Sequence, residues 1–203
     1  MTEPKTHSMF PVEVLEYQQT GKTYDVIIEL LRNEAFKEHE AYSSLANIHT
    51  IPHYNEPFEF INECLEDVRT RYSYDCEKFE ISSSWCNMSK PNSGMNHKFH
   101  RHSMSYLSGI FYMTEGAPVG FEDPVMPRTM NQLEVLRTDG YAPFEYIAPM
   151  PGKLLLFPSW LYHWTKPHID NFERWNISFN VLPTGKINYN VGTDSTANIE
   201  LKN

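Results

Sequence analysis

The stretch N-H-K-F-H-R-H, residues 96–102, sets three histidines within six positions. His100 and His102 are two residues apart, so in an extended segment both rings project to one side. Two neutral imidazoles at the mouth of a strand can chelate one metal ion, which then needs a third ligand from elsewhere in the chain. His163 is the best candidate. It follows the apolar run K-L-L-L-F and a Pro-Ser turn, where a barrel rim can carry it back to the first pair. His97 is the reserve ligand, just ahead of His100. Histidines on unrelated loops would show the same local spacing, because H-x-H is a common tripeptide.

Arg174 supplies the second clue. It opens R-W-N-I-S-F-N-V, eleven residues after His163, with Ser178 four residues further along the same face. A guanidinium inside a strand this apolar needs an anionic partner. A carboxylate held bidentate is the natural one. It belongs either to a ligand or to a protein Asp or Glu. Tyr112, ending S-Y-L-S-G-I-F-Y, can offer its hydroxyl to the same group or sit in the core. Asn87 and Asn176 can point into the same pocket. Trp160, Trp164 and Trp175 can wall it or serve as core and rim aromatics. F-E-D-P at 121–124 reads as a turn signal rather than a catalytic carboxylate pair, although Asp123 with two histidines would make a rival triad.

These residues need elements to hold them. Residues 9–17 alternate apolar and polar, which predicts an opening strand. Residues 22–44 carry Val26, Ile27, Leu30, Leu31 and Phe36 at helical spacing. Residues 56–73 repeat the pattern with Phe58, Phe60, Ile61, Leu65 and Val68 as a buried stripe and Pro57 in the first turn. From residue 78 the runs are short, aromatic or β-branched, and bounded by Pro, Gly or Asn. Helices followed by strands predict an α+β fold, a helix-supported β-sandwich or barrel. The expected layout is one domain over 1–203, with helical support from about 20 to 75 and the barrel from about 78 to 185. Residues 124–143 fit no strand pattern and read as a lid or binding loop, or as a disordered one.

The chain of 203 residues is long enough to bury a core unaided. A formal charge of −9 argues against duplex nucleic acid or an anionic membrane as partner. Three cysteines without a C-x-x-C pair suit buried or free thiols in a reducing compartment. Neither a signal-peptide profile nor an apolar run of membrane-spanning length is present. The expected location is cytoplasmic.

The order of these motifs resembles that of the Fe(II)- and 2-oxoglutarate-dependent oxygenase superfamily. More closely, H-R-H-S-M-S-Y-L-S-G-I-F-Y-M, F-E-D-P, G-K-L-L-L-F-P-S-W-L-Y-H-W-T-K-P and R-W-N-I-S-F-N resemble a group of small 2OG-Fe(II) oxygenases of phages and bacteria, over about residues 82–182. The resemblance implies a double-stranded β-helix, a jelly-roll or cupin-like barrel, supported by the N-terminal helices. It implies His100, His102 and His163 as ligands to a catalytic Fe(II), and Arg174, Tyr112, Ser178 and Asn176 as the residues that receive 2-oxoglutarate. O2 would be the other cosubstrate. The implied reaction couples oxidative decarboxylation of 2-oxoglutarate to hydroxylation of a second substrate, a prolyl or other protein side chain or a small metabolite. His102 departs from the superfamily pattern, which has Asp or Glu at that place. Two other readings stay open: a cupin-type three-histidine metalloenzyme that does not use 2-oxoglutarate, and a non-catalytic barrel.

Overall fold

The structure is a computed structural model that describes residues 11–34, 47–125, 143–190 and 197–201. Two helices, α1 (Asp25–Glu34) and α2 (Asn55–Arg71), precede most of the strands. In α1 the buried residues are Ile27, Ile28 and Leu31, preceded by buried Tyr24. They fall at the i, i+3, i+4, i+7 spacing of one helical face. Val26, expected on that face, is 74% exposed. The predicted continuation over 35–44 lies outside the described residues. In α2 the stripe is Phe58, Ile61, Cys64, Leu65 and Val68, with Pro57 also buried near the start and Phe60 half-buried.

The first strand is shorter and later than its sequence suggests. β1 (Leu15–Gln18) pairs with β6 (Lys153–Pro158), Leu15 opposite Leu156, and residues 11–14 stay outside any strand. β2 (Lys78–Ser89), β3 (Leu107–Tyr112) and β8 (Arg174–Ile187) complete a large antiparallel sheet in the order β1-β6-β3-β8-β2. β4 (Val119–Glu122), β5 (Phe144–Ile147) and β7 (His163–Thr165) form a smaller sheet in the order β5-β4-β7. The tail adds β9 (Ile199–Leu201) along the far end of β8, a docking that its polar sequence did not announce.

Period-two alternation divides the large sheet into two faces. Outward, Trp175, Ile177, Phe179 and Val181 of β8 join Leu107 and Phe111 of β3 and Leu154 and Leu156 of β6 in one core with both helices. Inward, Ile110, Tyr112, Leu155 and Phe157 meet Val119 and Phe121 of the small sheet in a second core. Two facing antiparallel sheets of this order, backed by helices on one side, make the α+β jelly roll, a double-stranded β-helix. All three cysteines are free and buried. No helix among the described residues is long and apolar enough to cross a membrane.

Gly109 shows how closely the helix-facing layer is packed. A Cβ there would lie 2.1 Å from Cζ of Phe179, whose ring is fully enclosed. Gly109→Ala should therefore lower the unfolding free energy by about 1–3 kcal/mol, the usual cost of overpacking. Chemical denaturation measures it; an unchanged midpoint would show that the ring has room to swing.

Candidate metal centre

Antiparallel bonding brings the histidines together. The main chain of His100 exchanges both hydrogen bonds with that of His163, and the His102 amide donates to the Ser159 carbonyl. Residues 97–102 thus lie along β7 as a further extended segment. His100 and His102 point inward, and His163 meets them from the neighbouring strand. The ring centroids of His100 and His163 are 4.3 Å apart, and His102 is 5.2 Å from each. One nitrogen from each of the three rings lies within 4.8 Å of the others. Among the described residues this is the one group of three or more side chains arranged to hold a metal ion. His97, the reserve candidate, stays outside it, its ring 6.4 Å from that of His100. Asp123 stays outside as well, its Oδ1 accepting a hydrogen bond from the Val125 amide.

Main-chain carbonyls select the tautomers. Nδ1 of His100 lies 2.6 Å from the Lys98 carbonyl, and Nδ1 of His163 lies 3.0 Å from that of Leu161. A carbonyl can only accept, so each Nδ1 carries the proton and each Nε2 is left with a free lone pair. His102 has no such carbonyl and instead stacks on Trp85 at 5.8 Å.

Burial disfavours the charged form of two of the three rings. It pushes His163 down to about 3, helped by neighbouring histidines, and His102 down to about 4, helped by His100. His97 also falls to about 4, through burial first and then the Arg174 charge. Each folded-state value lies below the ordinary 6.5, so the unfolded chain takes up protons that the folded chain refuses. Stability of the metal-free protein should be full above about pH 6.5 and fall as the pH drops towards 4. Urea titrations across that window test it. A flat profile would mean that the imidazoles titrate normally.

Arg174 sits across the cavity, 2% exposed, with its Nε lacking any partner. No carboxylate among the described residues pairs with it, and burial holds its pKa below the usual guanidinium value. Gly116, at φ 136°, lies flat against its stem: a Cβ there would be 3.0 Å from Cδ. Asn87, directly opposite Asn176 in the β2–β8 register, shares a second arrangement with it. Both amides donate to Ser178 Oγ, at 3.0 and 3.1 Å, and both Oδ1 atoms are buried without partners. Tyr112 is fully buried beside Arg174, its ring 5.7 Å from the guanidinium carbon. Among the described residues its hydroxyl has no hydrogen-bond partner either, and burial pushes it up to about 12. Tyr112 is not on the cavity wall, whereas Arg174, Asn176 and Ser178 are.

Trp85, Thr165 and Ser108 line the cavity too, and sequence reasoning passed over them. Parity could have found two: Trp85 is two residues before Asn87, and Thr165 two after His163. The three tryptophans weighed as pocket walls lie elsewhere. Trp160 is half exposed and Trp175 is buried under the helices. Trp164 faces outward on the small sheet, in a cluster where Phe99 stacks on Tyr162 at 4.6 Å and Phe144 and Tyr146 meet the indole edge-on. The stretch 124–143, read as a loop, falls almost wholly outside the described residues.

A cavity that carries three imidazoles and a guanidinium with no carboxylate partner among the described residues fits a metal and a small dicarboxylate. Comparison with known proteins agrees. Residues 83–180 match the family described as "Putative 2OG-Fe(II) oxygenase". No curated protein matches the sequence. Among solved structures the fold is similar to a Pseudomonas putida prolyl-4-hydroxylase, at 11% identity and a TM-score of 0.56, covering 86% of this chain and 89% of that one. It is similar to EctD from S. alaskensis with 2-oxoglutarate and 5-hydroxyectoine, at 12% identity and 0.62, covering 92% and 78%. It is also similar to HygX from Streptomyces hygroscopicus with nickel and 2-oxoglutarate bound, at 13% identity and 0.56, covering 85% and 83%. At such identities the structures speak for the fold, and the family match speaks for the chemistry. Over residues 83–180, just under half of its length, this chain is similar to the 2OG-Fe(II) oxygenases, enzymes that work with Fe(II), 2-oxoglutarate and O2, and its three-histidine group suits such a metal.

Proposed function

We propose that the protein couples oxidative decarboxylation of 2-oxoglutarate to hydroxylation of a second substrate, with the whole chain acting as one catalytic domain. His100, His102 and His163 would hold Fe(II), and Arg174, Ser178 and Asn176 would receive 2-oxoglutarate, with Tyr112 supporting Arg174 from behind. The observation that carries this reading is the buried Arg174, without a carboxylate partner among the described residues and lining the same cavity as the imidazoles. A guanidinium is rarely buried without an anion, and a dicarboxylate bound to the metal at one end would supply it.

When bound, iron with its cosubstrates supplies the oxidising power, and the protein supplies position, charge and dryness. Arg174 fixes the far carboxylate by a bidentate contact. Ser178 and the two asparagines can turn donors towards it, since an amide exchanges its oxygen for its NH2 by a half rotation. The carbonyls of Lys98 and Leu161 keep Nε2 of His100 and His163 free for the metal. Ile110 and Phe157 close the cavity with apolar surface and keep water from competing. The similarity to a prolyl-4-hydroxylase and to EctD, solved with a hydroxylated ectoine, supports hydroxylation as the outcome. The second substrate is a protein side chain, prolyl among them, or a small metabolite.

The test is anaerobic titration of the metal-free protein with Fe(II) and then 2-oxoglutarate. The expected result is a visible charge-transfer band near ~500 nm that saturates at one equivalent of each. Metal uptake without the band would overturn the assignment and favour a three-histidine metalloenzyme of cupin type.

A further inference from the structure

The charges around the metal centre do not cancel. Among the described residues the cavity wall holds one charged side chain, Arg174, and no carboxylate. The hydrogen bonds behind His100 and His163 end on main-chain carbonyls, so no acid stands behind the ligands either. Glu173, adjacent to Arg174 in sequence, turns outward to Arg32 and the Trp175 indole. The adjoining cleft of about 330 Å³, which shares His97 with the cavity, is lined by Met88, Ser89, Ser93, Gly94, Met95 and Asn96, again with no acid.

Iron held by three neutral imidazoles keeps both its positive charges, and Arg174 adds a third. 2-Oxoglutarate returns two negative charges, which leaves the loaded site with a net charge of +1. A carboxylate at position 102 would have cancelled that charge; an imidazole does not. Uncompensated charge in a cavity of low dielectric is costly, and the surplus favours any anion that can enter.

We propose that the second substrate is itself an anion, which brings a carboxylate or similar monoanionic group into the cavity beside His97 and Thr165 and so completes the charge balance. Both residues have donors to offer it. Thr165 Oγ1 accepts from the His97 amide at 2.7 Å and keeps its own proton to give. The neutral His97 ring carries one N–H. The inference rests on the function proposed above, because the count of charges assumes Fe(II) and 2-oxoglutarate.

Azide is the first probe, titrated anaerobically at saturating Co(II) and 2-oxoglutarate and read by the visible absorption of Co(II). The native protein and His102→Gln, which has the same net charge, should bind azide at least tenfold more tightly than His102→Asp, which is neutral when loaded. Equal affinity in the native protein and His102→Asp would overturn the inference. A second measurement needs no variant: phenylacetate and phenylacetamide share one skeleton and differ in charge. The acid should perturb the spectrum of the loaded native protein at a concentration at least tenfold lower than the amide. Equal potency, or a stronger effect of the amide, would overturn it. A native protein that takes up Co(II) but no 2-oxoglutarate would instead bring down the proposed function, and the inference with it.

Discussion

His163→Ala should weaken Fe(II) binding by at least ~100-fold and abolish the visible band with 2-oxoglutarate. Losing an outer-shell partner of a ligand already costs 10–100-fold, and this change removes a ligand outright. His163 is the ligand best fixed by its surroundings: it is 4% exposed, and its ring packs against Phe157 at 4.8 Å and Phe121 at 6.2 Å. His97→Ala is the informative contrast. Its ring lies outside the converging trio, so metal affinity should stay within a few-fold of native. Competition with a chromophoric chelator gives both numbers. Equal losses in the two variants would mean that the histidines act as a diffuse cluster rather than as three defined ligands.

Arg174→Met should move two properties in opposite directions. In the metal-free protein it replaces a buried cation, without a carboxylate partner among the described residues, with an apolar chain of similar length. Removing such a charge should stabilise the fold, on the order of 1–3 kcal/mol. In the loaded protein the same change deletes the partner of the far carboxylate of 2-oxoglutarate. Truncating one member of a buried charge pair costs about 2–5 kcal/mol, so affinity should fall by more than about tenfold. Thermal melts with and without 2-oxoglutarate show both effects: a higher melting temperature for the variant alone, and little further gain when cosubstrate is added. A variant less stable than the native protein would show that Arg174 holds the fold rather than a ligand.

How much of this was legible in the sequence depended on how local the signal was. H-x-H states its own geometry once the segment is extended, and the parity of Arg174, Asn176 and Ser178 along β8 is equally local. The helices were legible because Ile27, Leu31, Phe58, Ile61 and Leu65 keep helical spacing. What failed was non-local. Of the predicted first strand, residues 11–14 join no strand, although β6 runs two residues past the partner of Leu15. Val26 satisfied the periodicity but fell on the solvent side, because the sheet meets α1 along Tyr24, Ile27, Ile28 and Leu31. Trp85 reaches the centre by stacking on His102, a contact between β2 and a segment that joins the other sheet. Tyr112 carries the expected chemistry on the inward face of β3, with its ring 5.7 Å from the Arg174 guanidinium carbon.

The ligand segment also limits how this sequence can change. Phe99 and Arg101 alternate with His100 and His102, and Tyr162 and Trp164 flank His163, so the metal centre and the outer aromatic cluster are written on opposite sides of the same strands. A single-residue insertion or deletion between His97 and His102 would turn the imidazoles to solvent and drive Phe99 into the cavity. Point substitutions can retune either surface separately, but the reading frame of this short segment cannot slip by one without exchanging them.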